Sequence, residues 1–336
     1  MKPRFLWIAL VLLAAGCSSP DKPAAPVSKP DVRIAYFPNV THAAALVGSA
    51  KGLFAREFGE AATVEERVFK AGPEEIEALF AGEVDLGYIG PGPAINGFLK
   101  SKGEALRIVA GASSGGAALV ARDGVDIAGL KDLAGKRVAV PQTGGTQDIS
   151  LRHALGTVGL RSKDKGGTVD VVQFAPADTL DLFRRKELDA AWLPEPWVAR
   201  LQADAGAKLV LDERTLWPGG RFATTVVIVR TAFLNEHPEL VQKFLAAHAA
   251  AVQEIDTHPD DARAAIGEKL KTLNGGKAIP DAILRTALQR TQITADPLKE
   301  TVLTFADWSK GLGYLREDRS ALTDLFADLP TQKATR

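Results

Sequence analysis

Two stretches of this chain follow one pattern. EVDLGYIGPGPA (residues 83–94) and ELDAAWLPEPWVA (residues 187–199) both open acidic–apolar–Asp. Both run on through an apolar segment with one aromatic, Tyr88 or Trp192, and close on a pair of prolines. Asp85 and Asp189 stand 104 positions apart, as do Arg33 and Arg137 near the heads of VRIAYFPNVTHAAAL and KRVAVPQTGGTQDISL. Between them, VEERVFKAGPEEIEALF faces VDVVQFAPADTLDLF, with offsets of 105 at Phe69/Phe174 and 103 at Phe80/Phe183. Any α/β chain yields strand–turn–helix pairs at some offset, but three pairs at nearly one offset predict two lobes of the same build.

A chain of 336 residues has room for two such units. Hydrophobic residues make up 46% and charged residues 24%, as in an ordinary globular protein, and the formal net charge is zero. No concentrated cationic face is available for phosphate neutralisation, which argues against nucleic acid as a partner. The single cysteine, Cys17, excludes an internal disulfide. No Cys/His cluster offers a zinc site, no Ser/His/Asp spacing stands out, and the glycine-rich stretches lack the P-loop lysine and the dinucleotide fingerprint. These absences favour a binding protein over an enzyme, with no cofactor or metal expected.

The N-terminus reads as a targeting segment. Lys2 and Arg4 precede an apolar run over residues 5–15, too short to span a bilayer but suited to a signal-peptide core. Ala14, Ala15 and Gly16 before Cys17 look like a bacterial lipoprotein cleavage site, although a larger aliphatic residue is commoner where Ala14 stands. The expectation is a signal over residues 1–16, lipidation of Cys17, and a proline-rich tether over residues 17–30 that holds the body at a membrane face.

Strands are expected at residues 32–37, 63–69, 86–89 and 106–112, with helices at 43–58, 74–81 and from Pro93. A second round gives a strand after Lys136, a helix at 148–158, a strand at 169–174, a helix at 178–185, and strands at 190–193 and 208–212. AALVAR (117–122) and TTVVIVR (224–230) mirror each other and read as crossings between lobes, with the hinge near 119–121 and 226–228. Lobe 1 then comprises residues 31–118 and 227–330, lobe 2 residues 119–226, and 331–336 form a tail. Helices at 238–256, 259–270, 280–291 and 297–311, each opened by a proline, are expected to pack back on lobe 1.

The repeated units put polar loops at strand ends, where open α/β sheets bind ligands. Each loop runs into a helix start, whose unpaired N–H groups and positive dipole end favour an anion. The loops hold Asn39, Thr41 and His42; Gly90, Pro91 and Gly92; Thr143, Gly145, Thr146 and Gln147; and Glu195 with Trp197. Thr41, Thr143 and Thr146 read either as hydroxyl donors to a ligand or as helix caps. His42 reads as a pH-sensitive contact or as a loop histidine without a role. Glu195 either meets an amine or guanidine on the ligand or pairs with a neighbouring basic residue. Trp197 is placed to wall the cleft, Arg221 to supply a counter-charge, and Ser113, Ser114 and Gly115 to close the cleft beside the first crossing.

With RIAYFPNVTHAAALVGSAKGLF, GPEEIEALFAGEVDLGYIGPGPAINGF, VAVPQTGGTQD and LDAAWLPEPW in view, the chain resembles the periplasmic substrate-binding proteins of ABC importers. It is most similar to the aliphatic sulfonate, taurine and nitrate binding family, over about residues 31–325. The resemblance implies an α/β, bilobed type II periplasmic-binding-protein fold with a two-crossing hinge, and a small anionic ligand in the interlobe cleft. It also implies delivery to a transmembrane permease by a monomer anchored on the periplasmic side of the envelope. None of the four loops contains Lys or Arg, which favours an organic sulfonate over nitrate. Relatives that bind thiamine-precursor pyrimidines, and a ligand-sensing lipoprotein serving a signalling kinase, are the alternatives that the resemblance leaves open.

Overall fold

The computed structural model describes residues 29–327 and Leu329. The expected signal, Cys17, most of the tether and the tail at 331–336 lie outside the described residues. Among the described residues, eleven strands form two sheets: β1 (Asp31–Tyr36), β2 (Thr63–Val68), β3 (Leu86–Ile89), β4 (Leu106–Gly115), β5 (Ala117–Ala121), β6 (Arg137–Val140), β7 (Asp170–Gln173), β8 (Ala190–Pro194), β9 (Lys208–Asp212), β10 (Ala223–Arg230) and β11 (Thr291–Ile293). The first sheet runs β11-β4-β10-β3-β1-β2 and the second β7-β6-β8-β5-β9. Read from the opposite edge, the second repeats the first, with β9, β5, β8, β6 and β7 in the places of β4, β10, β3, β1 and β2.

The equivalence extends to register. Ile34 pairs Leu86 and Ala35 pairs Gly87 in the first sheet, while Val138 pairs Ala190 and Ala139 pairs Ala191 in the second. Two aspartates fix it. The Asp85 carboxylate accepts from the Arg33 backbone N–H at 3.0 Å, and that of Asp189 accepts from the Arg137 N–H at 2.9 Å. A strand of opposite direction sits beside each, and Arg230 at the end of β10 and Arg122 just past the end of β5 donate their backbone N–H to the aspartate's carbonyl at 2.8 Å in both lobes. The constant offset in sequence is therefore one hydrogen-bonded unit built twice.

The remaining elements cover the sheets. α1 (Ala43–Ala50), α2 (Leu53–Phe58), α9 (Pro238–Thr257) and α10 (Pro259–Leu273) pack on one face of the first sheet around Phe54, Phe58, Tyr88 and Phe244. α3 (Gly72–Phe80), α4 (Pro91–Lys100) and α12 (Lys299–Gly311) cover the other around Phe98, Phe222 and Phe305. α5 (Thr146–Thr157), α6 (Pro176–Arg184) and α7 (Trp197–Ala205) belong to the second lobe, while α8 (Thr231–Glu236) and α11 (Asp281–Arg290) follow β10. None of the helices among the described residues is long and apolar enough to cross a membrane.

The chain passes between sheets at Gly115–Gly116 and again over residues 213–222. Residues 119–121 and 226–228, expected as the hinge, lie inside β5 and β10. Gly115 and Gly116 both adopt positive φ, 72° and 73°, and a Cβ on Gly116 would meet Thr291 Oγ1 at 2.3 Å, so this passage requires glycine. Ser113 and Ser114, expected in a loop, lie in β4, and Thr291, expected at a helix end, opens β11; the pairing of β4 with β10 and β11 extends the ladder.

The two aspartates are not equally buried. Asp85 is fully buried and takes Arg33 and Arg230 at 2.8 and 2.7 Å, whereas the Asp189 side chain is 28% exposed and 3.8 Å from Arg122. Burial pushes the Asp85 carboxyl up, and the hydrogen bonds from Arg33 and Arg230 more than reverse this, leaving it below the usual range. Asp85→Ala is expected to cost about 3 kcal/mol in urea unfolding and Asp189→Ala about 1 kcal/mol. The Asp85 contribution should be complete above about pH 4 and fade as pH falls through its depressed value. Equal losses in the two variants would contradict the asymmetry.

Candidate functional site

A strand followed by a helix aims the helix start at the sheet's carboxyl edge, and two facing lobes aim several such starts at one gap. The cavity formed there is lined from both lobes. Phe37, Asn39, Thr41 and His42 come from the turn after β1, Lys70, Ala71 and Gly72 from the start of α3, and Gly90 and Pro93 from the start of α4. The second lobe adds Pro141, Gln142, Gly145, Thr146 and Gln147 before and within α5, Pro176 at the start of α6, and Pro194; Thr224 and Thr225 of β10 complete the lining. The cavity measures about 40 Å³, on the order of three water-sized bodies.

The helix starts are left uncapped by side chains. The cap positions of α3, α4, α5 and α6 hold Ala71, Gly90, Gly145 and Ala175, and Asn39, before the first turn at residues 40–42, makes no side-chain cap bond. First-turn N–H groups such as those of Gly72, Thr146 and Gln147 have no intrahelical acceptor. α4 contributes less than its glycines suggest. Pro91 and Pro93 have no N–H, and the Gly92 N–H is 3.3 Å from Thr146 Oγ1. The small residues there act mainly in packing: Cβ atoms on Gly90 and Gly92 would lie 2.1 Å from Thr146 Oγ1 and 2.7 Å from Ile149 Cδ1. They let α4 of one lobe close on α5 of the other.

His42 is buried, its Nε2 3.1 Å from the Tyr88 carbonyl and its Nδ1 3.1 Å from Thr41 Oγ1. A carbonyl only accepts, so Nε2 carries the proton and Thr41 donates to Nδ1. Burial lowers the His42 pKa to about 3. The ring is thus neutral, with both nitrogens engaged, and does not switch charge near neutral pH. Lys70 supplies the positive charge in the lining. Among the described residues no Asp or Glu lines the cavity.

The lobes are closed on each other around this site. Trp197 Nε1 donates to Asn39 Oδ1 at 2.9 Å, and the Val40 N–H donates to the Glu195 carbonyl at 2.9 Å. Arg290 reaches from the first lobe to Glu195 at 2.8 Å, while the Ala199 N–H donates to the same carboxylate at 3.0 Å. Tyr314 donates to Asp148 in the first turn of α5 at 2.6 Å, and His153 stacks on Trp308 with centroids 3.9 Å apart.

Asn39, Thr41, His42, Gly90, Gly145, Thr146 and Gln147 therefore meet at the cavity. Pro91 and Gly92 lie in the first turn of α4 behind it, and Thr143 is exposed, its N–H donating to Gln173 Oε1 at 3.0 Å. Glu195 is the partner of Arg290, and Trp197 is a lobe-to-lobe contact; neither is among the lining residues. Ser113 is buried in β4, and the Gly115 carbonyl accepts from Thr224 Oγ1 at 2.5 Å. Ser114 and Arg221 line a separate cavity of about 560 Å³ with Asp212, Arg214 and Arg290. Arg221 is half-exposed there, 3.6 Å from Asp296 rather than facing the cleft.

Sequence reasoning missed Lys70, Gln142, Pro176 and Thr225. Lys70 and Pro176 sit at the loops after β2 and β7, which belong to the same repeated units; extending the loop argument to that third pair would have found both. The absence of Lys and Arg from the four chosen loops thus did not mean a lining without a cation. Among the described residues, no group of three or more His, Cys, Asp or Glu side chains is placed to hold a metal ion.

Comparison with known proteins gives a consistent result. Residues 25–270 match the family model described as the NMT1-like family. The taurine-binding periplasmic protein of Escherichia coli (strain K12) is 31% identical over 216 residues, 64% of each chain. A protein of Brucella abortus (strain 2308) named as a binding protein is 30% identical over 200 residues, so the match spans 59% of that relative's length. Among solved structures, the alkanesulfonate-binding protein SsuA from Xanthomonas axonopodis pv. citri bound to MOPS superposes with a TM-score of 0.71 at 22% identity, covering 87% of this chain and 96% of that one. The periplasmic nitrate-binding protein NrtA from Synechocystis PCC 6803 gives 0.74 at 15% identity, covering 87% and 84%. At these identities the likeness is one of fold.

The Gly90 backbone, at φ −71°, accepts any side chain, so Gly90→Ala should interfere only where the lobes meet. Solution scattering is expected to show a larger radius of gyration than wild type, with little change in unfolding midpoint. An unchanged scattering profile would mean that the α4–α5 approach does not limit closure.

Proposed function

Because the chain belongs to the NMT1-like family and has the bilobed type II periplasmic-binding-protein fold, we propose that it is the solute-binding component of an ABC uptake system. In this reading it takes a small anionic solute, foremost an aliphatic sulfonate or taurine-like compound, and delivers it to a transmembrane permease. Lipidation at Cys17 would hold it on the periplasmic face of the membrane, where it works as a monomer. The observation that carries the reading is the convergence of uncapped helix starts from both lobes on one cavity that, among the described residues, has no carboxylate in its lining. Neutral donors in a site screened from water suit an anion that needs no acceptor for a proton of its own.

Closure is taken as rotation of one lobe on the other about the two passages at Gly115–Gly116 and residues 213–222. A solute that touches both lobes only when they are closed shifts the equilibrium toward that form. The ammonium of taurine would be met by the side-chain oxygens of Asn39, Gln142 or Gln147. Nitrate is the second reading, favoured by the small volume and by Lys70 at the edge.

Calorimetric titration of the purified chain with ethanesulfonate, taurine and nitrate tests this. A dissociation constant on the order of micromolar, about −8 kcal/mol, is expected for at least one of them. Tightest binding of nitrate would select the second reading, and no heat from any of the three would contradict both.

A further inference from the structure

Four threonines line the cavity, and three have partners. Thr41 donates to His42, Thr146 Oγ1 accepts from the Gly92 N–H, and Thr224 donates to the Gly115 carbonyl. Thr225 is 1% exposed, and its Oγ1 makes no hydrogen bond. Across the ladder it pairs with Ser113, also 1% exposed and also without a partner for its hydroxyl. In-register residues of neighbouring strands share a face, so Ser113 of β4 stands next to Thr225, and of the two it is Thr225 that lines the cavity.

Nothing in the fold asks for them. Thr225 stands in TTVVIVR, where a valine of the same shape would fill the position without burying a polar group. The strand is also irregular there, with register shifts on both sides of Thr225. Thr224 and Thr225 are consecutive yet line one cavity, whereas a regular strand sends successive side chains to opposite faces. Such irregularities re-aim side chains beside sites.

We propose that Thr225, with Ser113 beside it, reads the ligand: the Thr225 hydroxyl donates to an oxygen of the bound oxyanion, and the bulged strand exists to aim it. This rests on the reading of the cavity as an oxyanion site. It adds a donor set on β10 and β4 that is separate from the helix starts. The Thr225 hydroxyl has no partner within the protein, so its hydrogen bond is free to be made to a bound oxyanion.

Thr225→Val removes the hydroxyl and keeps the shape. Titration of wild type with ethanesulfonate, taurine and nitrate first identifies the probe that binds. For that probe T225V is expected to lose affinity by about 10- to 100-fold, as for a hydrogen bond to a charged group. Its unfolding transition without ligand should equal or exceed that of wild type, because the hydroxyl has no partner within the protein. Thr225→Ser should retain most of the affinity, and Ser113→Ala should lose less than T225V. Wild-type affinity in T225V would overturn the assignment while leaving the binding reading intact. A T225V that fails to fold, or melts well below wild type, would assign the hydroxyl to the fold and also overturn it. A wild type that binds none of the three probes would remove the oxyanion reading and this inference together.

Discussion

The first turn of a helix leaves backbone N–H groups without partners, and they must be met by a side chain, by water or by a ligand. Several such turns, from both lobes of this chain, surround one cavity. At four of them the capping position holds alanine or glycine, which have no side-chain acceptor to offer. The choice is informative because serine, threonine, aspartate or asparagine would stabilise a helix by about 1 kcal/mol over the alanines at two of these positions, and by a few tenths of a kcal/mol over the glycines at the other two. The chain forgoes that stability where the lobes meet. The electrostatic character of the site follows: partial positive charge from aligned peptide dipoles, hydroxyl donors, a neutral histidine, and Lys70 at the rim.

Aiming those turns requires the strands to be placed to within a fraction of a residue. Asp85 and Asp189 contribute this at the opposite ends of the strands, each tying the start of one strand to its neighbours through the same backbone hydrogen bonds. The second lobe tolerates a wetter and longer ion pair. Between the lobes, the polar contacts Trp197–Asn39, Arg290–Glu195 and Tyr314–Asp148 are spread around the cavity and are not one hydrophobic seam. Such contacts can be exchanged for water, as the proposed closure requires.

Much of this was legible in the chain. The 104-residue offset survives because both halves need an arginine at the head of one strand and an aspartate at the head of another, and register ties those residues together. The loops holding Asn39, Gly90 and Thr146 were legible because a strand end followed by a helix start is a local pattern. What could not be read was non-local. Ser113 and Ser114 look like a loop, but pairing from β10 and β11 makes them strand. The β-branched run around Thr225 reads as any buried strand, since a register shift leaves no mark in sequence. Trp197 looked like a cleft wall; the placement of Asn39 opposite it turns its indole N–H into a bond between lobes. Arg221 lies on the far side of the crossing, a direction fixed by the path of residues 213–222.

The most direct measurement is the amide spectrum of ¹⁵N-labelled protein during titration with ethanesulfonate. The account predicts saturable shifts of the Gly72, Thr146 and Gln147 amides, together with Thr41, all at one midpoint, because in the proposed complex these N–H groups meet the anion. Saturable binding that leaves those four resonances in place would show that the solute sits elsewhere and would contradict the account.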